Sequence, residues 1–376
     1  MSGLQLRLER RPAPSSLALA LVPALALVLA LLLGALVLLA TRHDPVAAYS
    51  AMFSGAFGSW YAVSETLVKV IPLLLASLAV LLGFRMSVWN IGAEGQLYAG
   101  AIAASWVALT FPDLPASVML PAALLAGFVG GCLWALPPAA LRAFLGVNEI
   151  ITTLMLNYVA ILFTGYLVTG PWRDPATGNF PYSPRFPDAA ELPAIPGTRV
   201  HLGLPLGLVV AGLLALVLDR TRWGYQLRVI GRAPSFARYA GLDLARNILL
   251  VLVLSGGIAG LAGVAELLGI THRLQLNLSS SYGYTAIVIA WLARLNVAAT
   301  LVVSLLFAAL LVGGFSIQTS GVPAALATIL QASILFFILA GSFLSRYRVR
   351  LRRPAPRPSA ATQPLLVPPG EGAAER

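Results

Sequence analysis

The chain has 376 residues, of which 59% are hydrophobic and only 10% charged, with a mean hydropathy of +0.85. That balance excludes an ordinary soluble protein and predicts an all-α polytopic membrane protein, because each bilayer span takes roughly 20 apolar residues. The apolar runs are continuous and lack the period-two alternation of a membrane β-barrel, and the net charge of +11 sits in the chain ends and alternate loops, where it orients spans and meets lipid head groups rather than nucleic acid.

Single residues narrow the chemistry further. The lone Cys132 excludes an intrachain disulfide and argues against a cysteine-based metal site, and His43, His201 and His272 are far apart in sequence. Lys69 is the only lysine and is followed by Val70. The chain therefore holds no Gly-Lys-Ser/Thr phosphate loop, and any ATPase that drives it is another chain. No HExxH, paired-aspartate or Ser/His arrangement marks a membrane enzyme.

In chain order, a polar head over residues 1–15 carries Arg7, Arg10 and Arg11, and residues 16–40 form an apolar run too long for a signal peptide. The run predicts a retained first span entering from the cytoplasm. Residues 41–64 read as an outer loop and 65–84 as the returning span, with Glu65 and Lys69 spaced for an i, i+4 pair. Arg85 marks the inner side. The next span, 91–109, begins with Asn90, Glu94 and Gln96 among Gly92, Gly95 and Gly100. Glycines allow broken helix geometry and a membrane carboxylate is costly, so these residues either line a pathway or pack at the inner surface.

Residues 121–136 read as an inward span ended by Pro137 and Pro138, with Arg142 at the inner side. Residues 145–170 run outward, headed by Asn148 and Glu149, which are suited both to capping and to a pathway. Asn157 lies deeper, where an amide needs a helix partner or a solute. Residues 170–203 form a Pro-rich outer loop and 204–218 a short inward span.

Residues 219–246 carry six arginines between apolar runs and predict two amphipathic pieces, 224–230 and 235–242, divided by Gly231 and Pro234. The pieces read either as a docking platform or as a basic loop on anionic lipid. Residues 247–270 run outward with Glu266 near the end, as either a cavity carboxylate or an interfacial residue. Residues 283–295 are short for a full span and predict a broken or tilted helix; 297–315 and 322–344 complete the bundle. The membrane domain thus covers 16–345, with about ten spans and both termini cytoplasmic, and a basic, Pro-rich tail over 346–376 reads as disordered.

Four stretches resemble signature blocks of the permease subunits of bacterial ATP-binding-cassette importers: NIGAEGQLYAGA (90–101), GVNEIITTLMLNY (146–158), GYQLRVIGRAPSFARYAGL (224–242) and GYTAIVIAWLARLN (283–296). They are most similar to the nucleoside and simple-sugar branch, although members often have proline where this chain has Val297. The resemblance implies a multi-pass protein of the bacterial inner membrane that moves nucleosides, or alternatively ribose- or galactose-type sugars, by alternating access. Its implied partners are a cytoplasmic ATPase that binds the ATP and magnesium, a second and similar permease, an extracytoplasmic solute-binding protein and membrane lipid. The chain itself would hold no cofactor and catalyse no reaction.

On this resemblance Gly224, Tyr225, Arg228, Gly231, Arg232, Arg238 and Gly241 belong to the coupling helix that meets the ATPase. The candidate pathway residues are Asn90, Glu94, Gln96, Asn148, Glu149, Asn157 and Glu266. The competing expectation is a secondary transporter or channel working alone, with Glu94, Glu149 and Glu266 as sites for coupling protons.

Overall fold

The computed structural model describes residues 5–10, 16–178, 180–319 and 321–352. Thirteen α-helices fill most of this chain: α1 Ser16–Ala40, α2 Pro45–Phe57, α3 Trp60–Arg85, α4 Ala93–Thr110, α5 Ala116–Leu145, α6 Glu149–Thr169, α7 Gly203–Arg220, α8 Arg222–Arg232, α9 Pro234–Tyr239, α10 Leu244–Glu266, α11 Tyr282–Leu292, α12 Val297–Thr319 and α13 Ala324–Arg346. Among the described residues seven are long and apolar enough to cross a membrane, namely α3, α5, α6, α7, α10, α12 and α13. Strands β1 (Gln5–Arg10) and β2 (Tyr347–Arg352) pair antiparallel and bring the first and last described segments together. β2 occupies the start of the segment expected to be disordered; residues 353–376 lie outside the described residues.

α3 is the central helix, enclosed along most of its length, and α10 packs beside it. α4 and α5 complete the core around α10, while α1 packs on α13 and α2 on α12. One end of the bundle carries Arg85, Arg142 and the α8–α9 pair, and is here called the arginine-rich end.

Two boundaries differ from those expected. α5 runs through Pro137 and Pro138 and stops at Gly146, whose φ of 67° gives the left-handed cap, with the Val147 N–H returning to the Leu141 carbonyl. A proline pair removes two helix hydrogen bonds, but carbonyls of a long packed helix tolerate that loss more readily than a β-carbon tolerates the left-handed conformation. The stretch expected to be an outer loop contains α2, whose start is capped by Asp44 Oδ1 accepting from the Val46 N–H at 2.8 Å.

The predicted i, i+4 pair between Glu65 and Lys69 does not form. Glu65 binds Arg199 (3.1 Å) and Lys69 binds Glu266 (3.1 Å). Arg199 belongs to the 170–203 loop, which folds back over the far end of the bundle and buries His201.

His201 Nδ1 accepts the Gly203 N–H at 3.1 Å, and its ring lies so close to Gly269 that a β-carbon there would come within 2.3 Å. Burial, with His272 and Arg199 nearby, pushes its pKa down to about 4. A histidine held neutral in the fold is protonated first in the unfolded chain, so its contribution is complete above about pH 6.5 and is lost as pH falls toward 4. The melting temperature of the purified chain should therefore drop between pH 7 and 5, with about 3 kcal/mol as the limit from this group, and His201→Gln should flatten that slope.

Candidate functional site

α4 and α11 both begin inside the bundle rather than at its surface. After Arg85 the chain turns back inward over residues 86–92, and Asn90 packs beside Gly83 of α3, where a β-carbon would lie 3.5 Å from that of Asn90. α11 is the shorter piece, with 11 residues, and follows the segment 272–281 from the opposite end. The two helix starts meet directly: a β-carbon on Gly283 would lie 2.3 Å from the Glu94 backbone nitrogen, so only glycine fits.

The first three residues of α11 are each fixed by different helices. The Tyr282 hydroxyl accepts from Lys69 Nζ at 2.7 Å and donates to Glu266 Oε1 at 3.3 Å, and Lys69 and Glu266 pair at 3.1 Å. The Gly283 N–H donates to Glu94 Oε2 at 2.7 Å. The Tyr284 hydroxyl accepts from Asn157 Nδ2 at 3.2 Å. The rest of Asn157 ties α6 to the start of α4, donating to the Ile91 carbonyl at 2.9 Å and accepting the Gly95 N–H at 2.8 Å. Tyr98 closes the group by donating to the Leu276 carbonyl at 3.1 Å.

This cluster is electrostatically self-consistent. The Glu94 carboxylate lies in the first turn of α4 and also against the first turn of α11, so two positive dipole ends face one negative charge. Glu266 is neutralised by Lys69 on one oxygen, whereas its buried Oε2 has no hydrogen-bond partner among the described residues. Tyr284 and Thr285, both half-buried, carry the cluster toward the bundle surface.

The remaining pathway candidates fall in two other places. Asn90 and Gln96 exchange amide hydrogen bonds at 2.8 and 3.0 Å, and Asn90 also donates to Ser255 Oγ at 2.7 Å, which donates on to the Ala79 carbonyl at 2.6 Å. This buried knot fixes the turn 86–92 next to the cluster. Asn148 and Glu149 lie at the arginine-rich end. Asn148 Oδ1 caps α6 through the Ile150 N–H at 2.9 Å, and Glu149 pairs with Arg142 at 3.1 Å while accepting the Trp89 N–H at 3.2 Å. Sequence reasoning missed Lys69, Tyr98, Ser255, Tyr282 and Tyr284 as members. A lone lysine in an apolar span was the available signal.

At the arginine-rich end the basic loop forms two short helices, as its pattern predicted, but α8 runs through Gly231 to Arg232 and the break falls at Ala233, before Pro234. Thr221 Oγ1 caps α8 by accepting the Gly224 N–H at 3.2 Å, and Trp223 Nε1 donates to Asn247 Oδ1 at 2.9 Å. Gly224 packs against the end of α7, where a β-carbon would lie 2.3 Å from the Leu218 carbonyl oxygen. Gly231 packs against the end of α3, 2.8 Å from the Arg85 carbonyl oxygen by the same measure, and its own carbonyl accepts from Ser87 at 2.9 Å. Arg228 binds the Leu218 carbonyl and pairs with Asp219 at 3.6 Å. Tyr225, Arg232, Phe236, Arg238, Tyr239 and Gly241 stay exposed. The pair is thus fastened to α3, α7 and α10 on one face and open on the other.

Residues 62–339 match the family described as branched-chain amino acid transport system / permease component. Over 96% of the chain it is 40% identical to the glucose ABC transporter permease protein TsgB13 of Haloferax volcanii, covering 98% of that protein. It is 33% identical to the guanosine ABC transporter permease protein NupP of Bacillus subtilis, over 87% of the chain and 94% of the relative. It is 30% identical to the nucleoside ABC transporter permease protein NupB of Lactococcus lactis, over 85% and 90%.

Proposed function

Because the chain belongs to the family of permease components of the branched-chain amino acid transport system, a multi-pass protein of the inner membrane, we propose that it forms one transmembrane half of an ATP-driven importer of nucleosides. The observation that carries the reading is the interior cluster at the start of α11. It joins two carboxylates (Glu94, Glu266), an amide (Asn157) and two tyrosine rings (Tyr98, Tyr284) in one place. Carboxylates and amides suit ribose hydroxyls and base edges, and aromatic rings suit stacking on a base.

In this reading α1, α4 and α11 join the seven long apolar helices to give ten crossing elements, with the arginine-rich end and both chain termini cytoplasmic. A second permease pairs with this one, a solute-binding protein delivers the nucleoside outside, and a separate ATPase binds ATP and magnesium. The open face of α8 and α9 receives that ATPase. Closure of the two ATPases draws the basic loops of both halves together and reopens the bundle on the other side around α4 and α11.

A second reading, a simple-sugar importer, is favoured by the 40% identity to the glucose permease, since a sugar uses the same carboxylates and amides without needing the rings. Reconstituted with its ATPase, second permease and binding protein, the complex should accumulate labelled guanosine or uridine in an ATP-dependent manner, and excess glucose should not compete. Competition by glucose and no nucleoside uptake would replace the first reading with the second. Concentration of solute by this chain alone would overturn both.

The docking role has its own test. Gly231→Glu forces a carboxylate against the Arg85 carbonyl and displaces α8, so co-purification of the ATPase and coupled uptake should both fall by on the order of tenfold or more. Unchanged association in this variant would remove α8 from the docking face.

A further inference from the structure

Beside the fastened edge of α8 lies a cavity of about 330 Å3 whose walls include Arg85, Arg228, Arg232 and Arg294, with Ser87 and Asn296 between them. These arginines come from three separate parts of the chain, and among the described residues one carboxylate, Asp219, lies within ion-pair distance of any of them. Asp219 is 3.6 Å from both Arg85 and Arg228 and is itself half-exposed. Arg232 and Arg294 are exposed and have no ion pair among the described residues. Four guanidinium groups facing one acid leave a formal +3 in a single recess, a local charge that favours an anion there. The recess is nevertheless held in shape: Arg85 Nε donates to the Leu295 carbonyl at 2.9 Å, and Arg294 and Leu295 both adopt left-handed backbone, with φ of 52° and 57°.

The margin of the recess is aromatic. Phe84 lines it, its ring 4.6 Å from that of Trp89, and Trp89 stacks on Trp291 at 5.9 Å. The two indoles are 37% and 40% exposed, which is the placement of side chains at a membrane interface. We propose that this recess is a phosphate site for an anionic phospholipid: the arginine forks hold the phosphodiester and the Trp89–Trp291 pair borders the upper acyl chains. An acidic side chain of a docking protein would use the arginines but not the adjoining apolar margin. The inference requires only that the chain is embedded in a membrane and is independent of which solute it carries.

The full chain in neutral detergent should retain phosphatidylglycerol in native mass spectrometry and not phosphatidylcholine. Arg232→Gln with Arg294→Gln should weaken that retention by on the order of tenfold or more, whereas Arg222→Gln, an exposed arginine of α8 outside the recess, should change it by less than about twofold. Should the double variant fail to fold, Arg294→Gln alone should weaken it about threefold. Thermal stabilisation by inorganic phosphate that equals the stabilisation by phosphatidylglycerol, and is lost in the same variants, would overturn the lipid assignment by placing the anion's source in solution. Unchanged lipid retention in the folded variants would overturn the proposal. So would an equal loss in Arg222→Gln, which means diffuse attraction, or a loss of ATPase association with lipid retention intact.

Discussion

A chain carrying Lys69→Met should lose most of its thermal stability margin and its transport, and Glu266→Gln added to the same chain should restore a large part of the stability. Lys69 and Glu266 pair at 3.1 Å with side-chain exposures of 22% and 4%, and Tyr282, wholly buried, bonds to both. Removing one member of such a pair leaves a buried charge without its counter-charge, which costs about 3–5 kcal/mol, whereas removing both charges can be nearly neutral. The residual exposure of Lys69 places the single change toward the lower end of that range. Glutamine at 266 still accepts from the Tyr282 hydroxyl, so the double variant keeps one bond of the three. Melting temperatures of the two single variants and the double variant form a cycle that isolates the coupling. If the double variant is as unstable as the sum of the singles, the pair does not hold α3, α10 and α11 together. Uptake should stay low even in the stable double variant, because the proposed solute site then lacks the Lys69 and Glu266 charges.

The pair also shows where reading the sequence stops. Glu65 lies four residues from Lys69 and satisfied the local rule for helix pairs, yet the partner that forms is 197 residues away. Pairing between transmembrane helices leaves no periodic trace in one sequence, so only a lone cation in an apolar run was visible. Local physics was legible. The amphipathic pieces of the basic loop, the cap at Asn148 and the short, broken character of the segment at 283–295 all follow from neighbours within a few positions. The polar residues among glycines at 90–96 were correctly singled out as unusual. That Asn90 and Gln96 bind each other while Glu94 binds Gly283 depends on the turn at 86–92, which has no local signature. Pro137 and Pro138 misled because a proline's effect depends on packing, whereas the stop at Gly146 rests on a left-handed conformation that glycine alone adopts freely.

Gly260→Leu should prevent normal assembly of the bundle, with Gly260→Ala intermediate and Gly212→Ala harmless. α4, α5 and α10 meet backbone to backbone: a β-carbon on Gly260 would lie 2.3 Å from the Gly127 carbonyl oxygen, one on Gly131 2.1 Å from that of Gly256, and one on Gly263 2.0 Å from that of Leu97. Helices without a hydrophobic force between them associate through such close contact, so small residues at these positions set the interaxial distance. A methyl group at 260 forces the helices apart and costs about 1–3 kcal/mol, and the longer leucine adds further strain. Gly212, on the exposed side of α7, has nothing within 4 Å of its would-be β-carbon, so alanine there should be neutral or gain about 0.5–1 kcal/mol from helix propensity. Monodisperse yield by size-exclusion chromatography and melting temperature should rank Gly212→Ala at or above the parent, then Gly260→Ala, then Gly260→Leu. Normal folding of Gly260→Leu would mean that α5 and α10 do not approach this closely in the membrane. Because α4 begins at the Glu94 turn and α10 ends at Glu266, the same separation would also pull apart the two carboxylates that meet at α11. Transport should therefore fall more steeply than stability across the series, and a parallel decline would detach the glycine contact from the proposed solute cluster.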